Sequence, residues 1–184
     1  MVAVDLQVLP SVHTEDVSTL VSNSGMTRYR VHTGVWDKYS NDENPYEFFP
    51  KGIFVEQFDS LFHVEVSLVA DTAYHYEKDD LWHAIGNVVV KNAGGRTFET
   101  AELFWNNKIP PDTLGVFYTH QLVTITEPDG QTLLGHNGFE SIRSLRFYRL
   151  YSNTGEFLHV EDQEETPPDT VGLTTVLSDS IRHP

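Results

Sequence analysis

The chain has 184 residues, 27 acidic against 12 basic side chains, a formal net charge of -15 and no cysteine. Clustered Lys and Arg able to displace counterions from phosphates are absent, which excludes nucleic acid as a partner; the missing cysteine excludes disulfides, thiolate metal sites and cysteine nucleophiles. No run of about twenty apolar residues and no basic, apolar-centred start occurs, so the chain as it stands is expected to be soluble, with any membrane anchor of the full protein ahead of Met1.

Residues 1–13 carry little pattern and predict a leader. A single domain is expected over 14–160. From Asp16 the chain alternates through Val17, Thr19 and Val21 to the turn residues Asn23-Ser24-Gly25, then resumes with Tyr29, Val31, Thr33 and Val35 on one face. That predicts a hairpin; a short helix from a Thr14 cap is disfavoured by Ser18, Thr19 and Ser22. Trp36–Gly52 breaks the pattern at Asn41–Pro45 and predicts a loop anchored by Tyr46, Phe48 and Phe49.

Strands follow at Ile53–Phe58 and Leu61–Ala70, the second placing Phe62, Val64, Val66, Leu68 and Ala70 on one face, and a third at Thr72–Tyr76. Trp82–Val90 and Phe98–Trp105 are rich in β-branched and aromatic residues, and Gly94-Gly95 divides them, so they predict a hairpin. Pro110-Pro111 makes Asn106–Asp112 irregular. Val116–Thr126 predicts a strand, Pro128-Asp129-Gly130 its turn, Gln131–Leu134 its return, and Gly135–Gly138 a bend before Phe139. Arg143–Tyr151 alternates, and Asn153-Thr154-Gly155 leads into Phe157–Val160. Residues 161–184, with acidic Glu161–Glu165 and Pro167-Pro168, predict a solvated tail. Roughly a dozen short strands and no convincing helix define an all-β fold, a sandwich, jelly roll or barrel.

Motifs for chemistry are absent. His63 with Glu65, and His75 with His83, lack the spacing of a metal site, and no His-Glu-x-x-His occurs. No nucleophile elbow or phosphate-cradling glycine loop is present, and carboxylates are too abundant to single out a catalytic pair. The sequence predicts no enzyme, no metal and no cofactor. One strongly apolar face remains, and it fits either a filled sandwich or a hollow roll.

Ala70-Asp71, Leu81-Trp82, Ile85-Gly86-Asn87-Val88-Val89-Val90, Phe98-Glu99-Thr100 and Leu103-Phe104-Trp105 resemble the LptC family of periplasmic lipopolysaccharide-export proteins, relatives of the OstA-like bridge proteins. Thr27-Arg28-Tyr29-Arg30-Val31 and Gly135 through Gly138-Phe139-Glu140-Ser141 extend the likeness, which covers roughly residues 16–160 in order. The resemblance implies a twisted, open β-jellyroll of antiparallel strands in the periplasm, tethered to the inner membrane by an N-terminal anchor. Such a protein takes lipopolysaccharide from the periplasmic domains of an export ABC transporter and hands it to a soluble OstA-like bridge protein without covalent chemistry. The inward candidates for acyl contact are Phe62, Val64, Val66, Leu68, Trp82, Val88, Val90, Phe98, Leu103, Trp105 and Phe139. Partner jellyrolls would join by strand addition at Val17, Thr19 and Val21 or at Tyr29 and Val31, and at Leu145, Phe147 and Tyr151. The other reading is a structural or adaptor β-domain with a filled core and no lipid route.

Overall fold

A computed structural model of the chain describes residues 9–23, 25–40, 43–152 and 155–160. Fourteen strands lie within them: β1 (Val12–Asn23), β2 (Met26–Tyr39), β3 (Tyr46–Phe49), β4 (Ile53–Phe58), β5 (Val64–Ala70), β6 (Thr72–Tyr76), β7 (Leu81–Asn92), β8 (Thr97–Asn106), β9 (Phe117–Thr119), β10 (Val123–Thr126), β11 (Thr132–Gly135), β12 (Phe139–Ser141), β13 (Phe147–Ser152) and β14 (Gly155–Val160). The protein is all-β, a twisted sheet in which every pairing is antiparallel and no helix occurs among the described residues.

The long strands β2, β7 and β8 organise the sheet because each pairs along one side with two different short strands. β2 meets β4 over Tyr29–Thr33 and β3 over Asp37–Tyr39. β7 meets β5 over Val89–Asn92 and β6 over Leu81–Ile85. β8 meets β10 over Thr97–Thr100 and β9 at Phe104 and Trp105. The short strands therefore fall into two tiers that share their long strands. One holds β4, β5, β10 and β11; the other holds β3, β6, β9, β12, β13 and β14.

The chain is irregular where it passes between tiers. Thr33 Oγ1 donates to the Gly52 carbonyl at 2.7 Å, the Gly52 amide donates to the Asp71 carbonyl at 2.8 Å, and the Asp71 amide donates to the Gly86 carbonyl at 2.9 Å. In β7 the register with β8 shifts between Ile85 and Val88, and the extra residue is carried by Gly86 and Asn87 at φ 78° and 44°. Gly and Asn are the residue types that enter this left-handed region most cheaply, so the bulge sits where the sequence permits it. Along β8 the burial phase also slips, with Phe98 inward on one side of exposed Ala101 and Leu103 and Trp105 inward on the other.

The buried faces of the two tiers cover each other. Tyr29, beside β4, meets Trp105, beside β9, with ring centroids 5.2 Å apart, and Phe98 meets Phe139 at 5.1 Å and Tyr148 at 5.4 Å. Val66, Leu68, Val88, Val90, Phe98, Leu103, Trp105 and Phe139 are all buried in one continuous core, each such aliphatic or aromatic side chain contributing about 1.5–3 kcal/mol.

Several expectations are corrected. Trp36–Gly52 is not a loop: β2 runs on to Tyr39, and β3 is a strand between β2 and β6. Its aromatic residues pair across strands, a gain that outweighs the two flanking prolines. β5 begins only at Val64 because Asp59 Oδ1 accepts from the amides of Leu61 and His63, both at 2.8 Å, forming a turn with Phe62 at φ 67°. Phe62 and Val64, expected inward, are accordingly 51% and 40% exposed, with Phe62 stacked on Phe58. Val116–Thr126 splits into β9 and β10 because the two halves pair with different stretches of β8.

The expected partner edges at Tyr29 and Val31 and at Leu145, Phe147 and Tyr151 are also corrected. Tyr29 and Val31 lie on β2, which is hydrogen-bonded on both sides, to β1 and to β4. Phe147 and Tyr151 lie on β13, between β12 and β14, and Leu145 is a fully buried turn residue at φ 59°. Among the described residues the strands paired on one side only are β1, which carries Val17, Thr19 and Val21, together with β11 and β14. β1 also claims Val12 and His13 from the expected leader. Residues 1–8, Ser24 of the expected turn and the tail at 161–184 lie outside the described residues.

Candidate functional site

A groove of about 820 Å³ is lined by the β1–β2 hairpin on one side and by residues of β3, β6, β7 and β8 on the other. Its floor is a ladder of rings drawn from four strands. Trp36 stacks on Phe49 at 6.0 Å, Phe49 on Trp82 at 5.6 Å and Trp82 on Trp105 at 6.0 Å, and Tyr29 closes the series edge-on against Trp105. β2, β3, β7 and β8 each contribute inward positions here because their alternation brings every second residue to this face. The volume falls within the few hundred to about 1,000 Å³ of small-molecule sites.

A chain of polar side chains crosses the same groove. His75, on β6, lies flat against Trp82 at 4.4 Å and faces a carboxylate at each ring nitrogen, Glu47 Oε2 at 2.9 Å from Nδ1 and Asp80 Oδ1 at 3.2 Å from Nε2. Only a doubly protonated imidazole donates both hydrogen bonds. Burial pulls the His75 pKa down, but the hydrogen bonds to Glu47 and Asp80 outweigh it and the net shift is upward. Asn107 donates to Asp80 Oδ1 at 3.2 Å and accepts from the Tyr29 hydroxyl at 3.4 Å, which carries the chain to the opposite wall. Asp80 holds its place in the turn at φ 45°.

Trp36 Nε1, Trp105 Nε1 and Arg143 Nε are buried donors without an acceptor among the described residues, and all three side chains line this groove. Each of these three orphans is a nitrogen donor enclosed behind the groove wall.

Two further spaces adjoin the core. A recess of about 700 Å³ is lined by Tyr118, His120, Phe139, Glu140 and Tyr151, where Arg149 and Tyr151 both donate to Glu140 at 3.0 Å. A small void of about 10 Å³, at the threshold for a single water molecule, lies among Val55, Leu68, Trp82, Leu103 and Trp105.

Of the eleven inward candidates, Trp82 and Trp105 line the groove and Phe139 lines the second recess. Leu68 and Leu103 border only the small void. Val66, Val88, Val90 and Phe98 are core residues bordering none of these spaces, and Phe62 and Val64 face solvent. Thr19, Val21, Tyr29 and Val31, expected at a partner edge, all line the groove, Thr19 and Val21 from β1, which is paired on one side only. Sequence reasoning missed Trp36, Phe49, His75 and Asp80 as groove residues. The one signal for them was the aromatic cluster before Pro50, read as a loop anchor. Among the described residues no group of three or more His, Asp and Glu is placed to hold a metal ion. No family model matches the chain, and no curated protein matches it in sequence.

Proposed function

We propose that this chain is a twisted β-jellyroll of the LptC type that binds the acyl chains of lipopolysaccharide and passes them between partner proteins, without covalent chemistry or a cofactor. The observation that carries this reading is the groove between β2 and β8, a concave surface floored by aromatic rings that border the core. A twelve-carbon acyl chain buried there gains on the order of 10 kcal/mol gross at about 0.8 kcal/mol per methylene, well above the roughly 1 kcal/mol of an exposed ion pair. The route is drawn along Trp36, Phe49, Trp82 and Trp105 rather than through the interior at Val66 and Val88. The proposed setting is the periplasm at the inner membrane. The edge of β1 suits the transporter's periplasmic domains, and that of β14 the soluble bridge protein, through strand addition.

A photocrosslinking amino acid in place of Trp82 tests the groove, with the same group at exposed Val69 as control. Crosslinking to lipopolysaccharide from position 82 and not from 69 is the expected result. Equal labelling at both, or none, rejects the groove as a lipid route. The second reading, an adaptor β-domain with a filled core, is favoured by the void of only about 10 Å³ beneath the ring ladder. It expects no lipid adduct at position 82 while the strand edges still capture a partner.

A further inference from the structure

The acidic balance of the chain argues against an anionic ligand, yet the distribution of its cations argues for one. Most described Lys and Arg side chains with a carboxylate partner hold it closely: Arg30 with Glu56 at 2.9 Å, Lys38 with Glu77 at 2.5 Å, Arg96 with Glu127 at 2.9 Å and Arg149 with Glu140 at 3.0 Å. Lys51, Lys91 and Arg146 are exposed on the surface. Arg28 and Arg143 are different. Both are half-buried, neither has a carboxylate partner among the described residues, and both line the aromatic groove.

Their placement is convergent. Arg28 stands beside Tyr29 at the start of β2, and Arg143 follows β12, its amide held by the Pro111 carbonyl at 2.8 Å. Both also border a recess of about 230 Å³ next to Tyr29. Burial raises the Tyr29 pKa, Arg143 lowers it, Asp80 raises it and Arg28 lowers it, so both guanidinium groups and the Asp80 carboxylate lie within electrostatic reach of the one hydroxyl. Arg143 Nε is buried without an acceptor.

The acids nearby are already engaged. Glu47 and Asp80 hold His75, Glu65 accepts from Gln57 Nε2 at 2.7 Å, and Asp59 accepts two backbone amides. Two half-buried guanidinium groups without a carboxylate of their own are positioned to take one from a guest, and planar forks of N–H donors suit carboxylate and phosphate oxygens.

We infer that Arg28 and Arg143 form the head-group end of the groove and select an amphiphile whose apolar chain ends in an anionic carboxylate or phosphate. This inference rests on the groove reading above and adds the charge of the ligand to it. The chain lies over Trp105 and Trp82, and the anionic oxygens meet the guanidinium donors beside Tyr29.

Titration of the intact chain, followed by tryptophan fluorescence and calorimetry, tests the assignment with four probes, the three dodecyl compounds kept below the concentrations at which they aggregate or separate from solution. They are dodecanol, dodecyl phosphate, dodecyltrimethylammonium and inorganic phosphate alone. Dodecyl phosphate is expected to bind about tenfold more tightly than dodecanol, dodecyltrimethylammonium more weakly than both, and inorganic phosphate weakly if at all. Arg28→Gln with Arg143→Gln should erase the preference while dodecanol binding persists; thermal melting of that variant checks its fold. Equal binding of dodecanol and dodecyl phosphate overturns the head-group assignment and leaves the groove intact. Failure of every dodecyl probe overturns the groove reading as well. Inorganic phosphate binding as tightly as dodecyl phosphate rejects the amphiphile in favour of a free-anion site.

Discussion

The side-chain amide of Asn87 donates to the carboxylate of Asp71 at 2.7 Å, tying the bulge of β7 to the single residue that separates β5 from β6. Beside it a Cβ on Gly86 would stand 2.7 Å from Asp71 Oδ2, on a backbone already at φ 78°. Gly86→Ala should therefore destabilise the protein by about 1–3 kcal/mol through left-handed strain plus the clash. Adding Asp71→Ala to that variant should recover the part owed to the clash. Urea unfolding of the single and double variants measures both, and an unchanged midpoint for Gly86→Ala would contradict the geometry.

Arg96 is buried with its Nε 2.9 Å from both carboxylate oxygens of Glu127, and its guanidinium lies over the ring of Tyr148 at 5.4 Å. Tyr148 donates its hydroxyl to the same carboxylate at 3.2 Å, and burial, then the Glu127 charge, pushes its pKa far up. Glu127→Ala leaves a buried cation without its counter-charge and should cost about 3–5 kcal/mol. Arg96→Met combined with Glu127→Leu should cost less than Glu127→Ala alone, as read by the same denaturant series.

His75 makes stability depend on pH with a definite sign. Its folded pKa stands above the ordinary 6.5, so its contribution is complete below that value and is lost as the pH rises through the folded value. The stability gap between the parent and His75→Gln should be widest near pH 6 and narrow toward about pH 9. Nitrogen-15 NMR of the imidazole reads the titration directly, and a ring that loses its proton below pH 6.5 would contradict the two-carboxylate clamp.

Groove and core should separate under mutation. Phe98→Ala removes a ring packed between Phe139 and Tyr148 and should cost about 3–5 kcal/mol while dodecanol affinity in the folded fraction stays unchanged. Trp36→Ala, at a half-buried ring on the ladder, should cost less stability and weaken dodecanol binding by about tenfold or more. Val88→Arg, which places a charge in the closed core, should unfold the chain rather than redirect a ligand.

The hairpin of β7 and β8 was legible because β-branched and aromatic runs flank Gly94-Gly95, and the burial of Val66, Leu68 and Ala70 was legible as strict alternation. The same alternation misled at Phe62 and Val64, since parity does not carry backward through a residue at φ 67° whose conformation depends on the Asp59 turn. β3 was hidden by its length of four residues and by Pro45 and Pro50, which read as loop chemistry. The groove was only half visible. Trp82 and Trp105 stood out within their strands, but Tyr29, Trp36 and Phe49 join them only once the sheet has doubled over, a long-range event that no local pattern encodes. In the sequence His75 stands out only beside His83, and the two carboxylates from separate elements that close on it leave no local signal.

Because β2, β7 and β8 run unbroken through both tiers, neither half of the protein owns a complete set of hydrogen-bonding partners. Removing one tier would strip the other of strands it needs, so the smallest unit able to hold its structure spans both. The two halves must then gain and lose order together, and a ligand that grips the groove between β2 and β8 steadies the entire described body rather than one lobe of it.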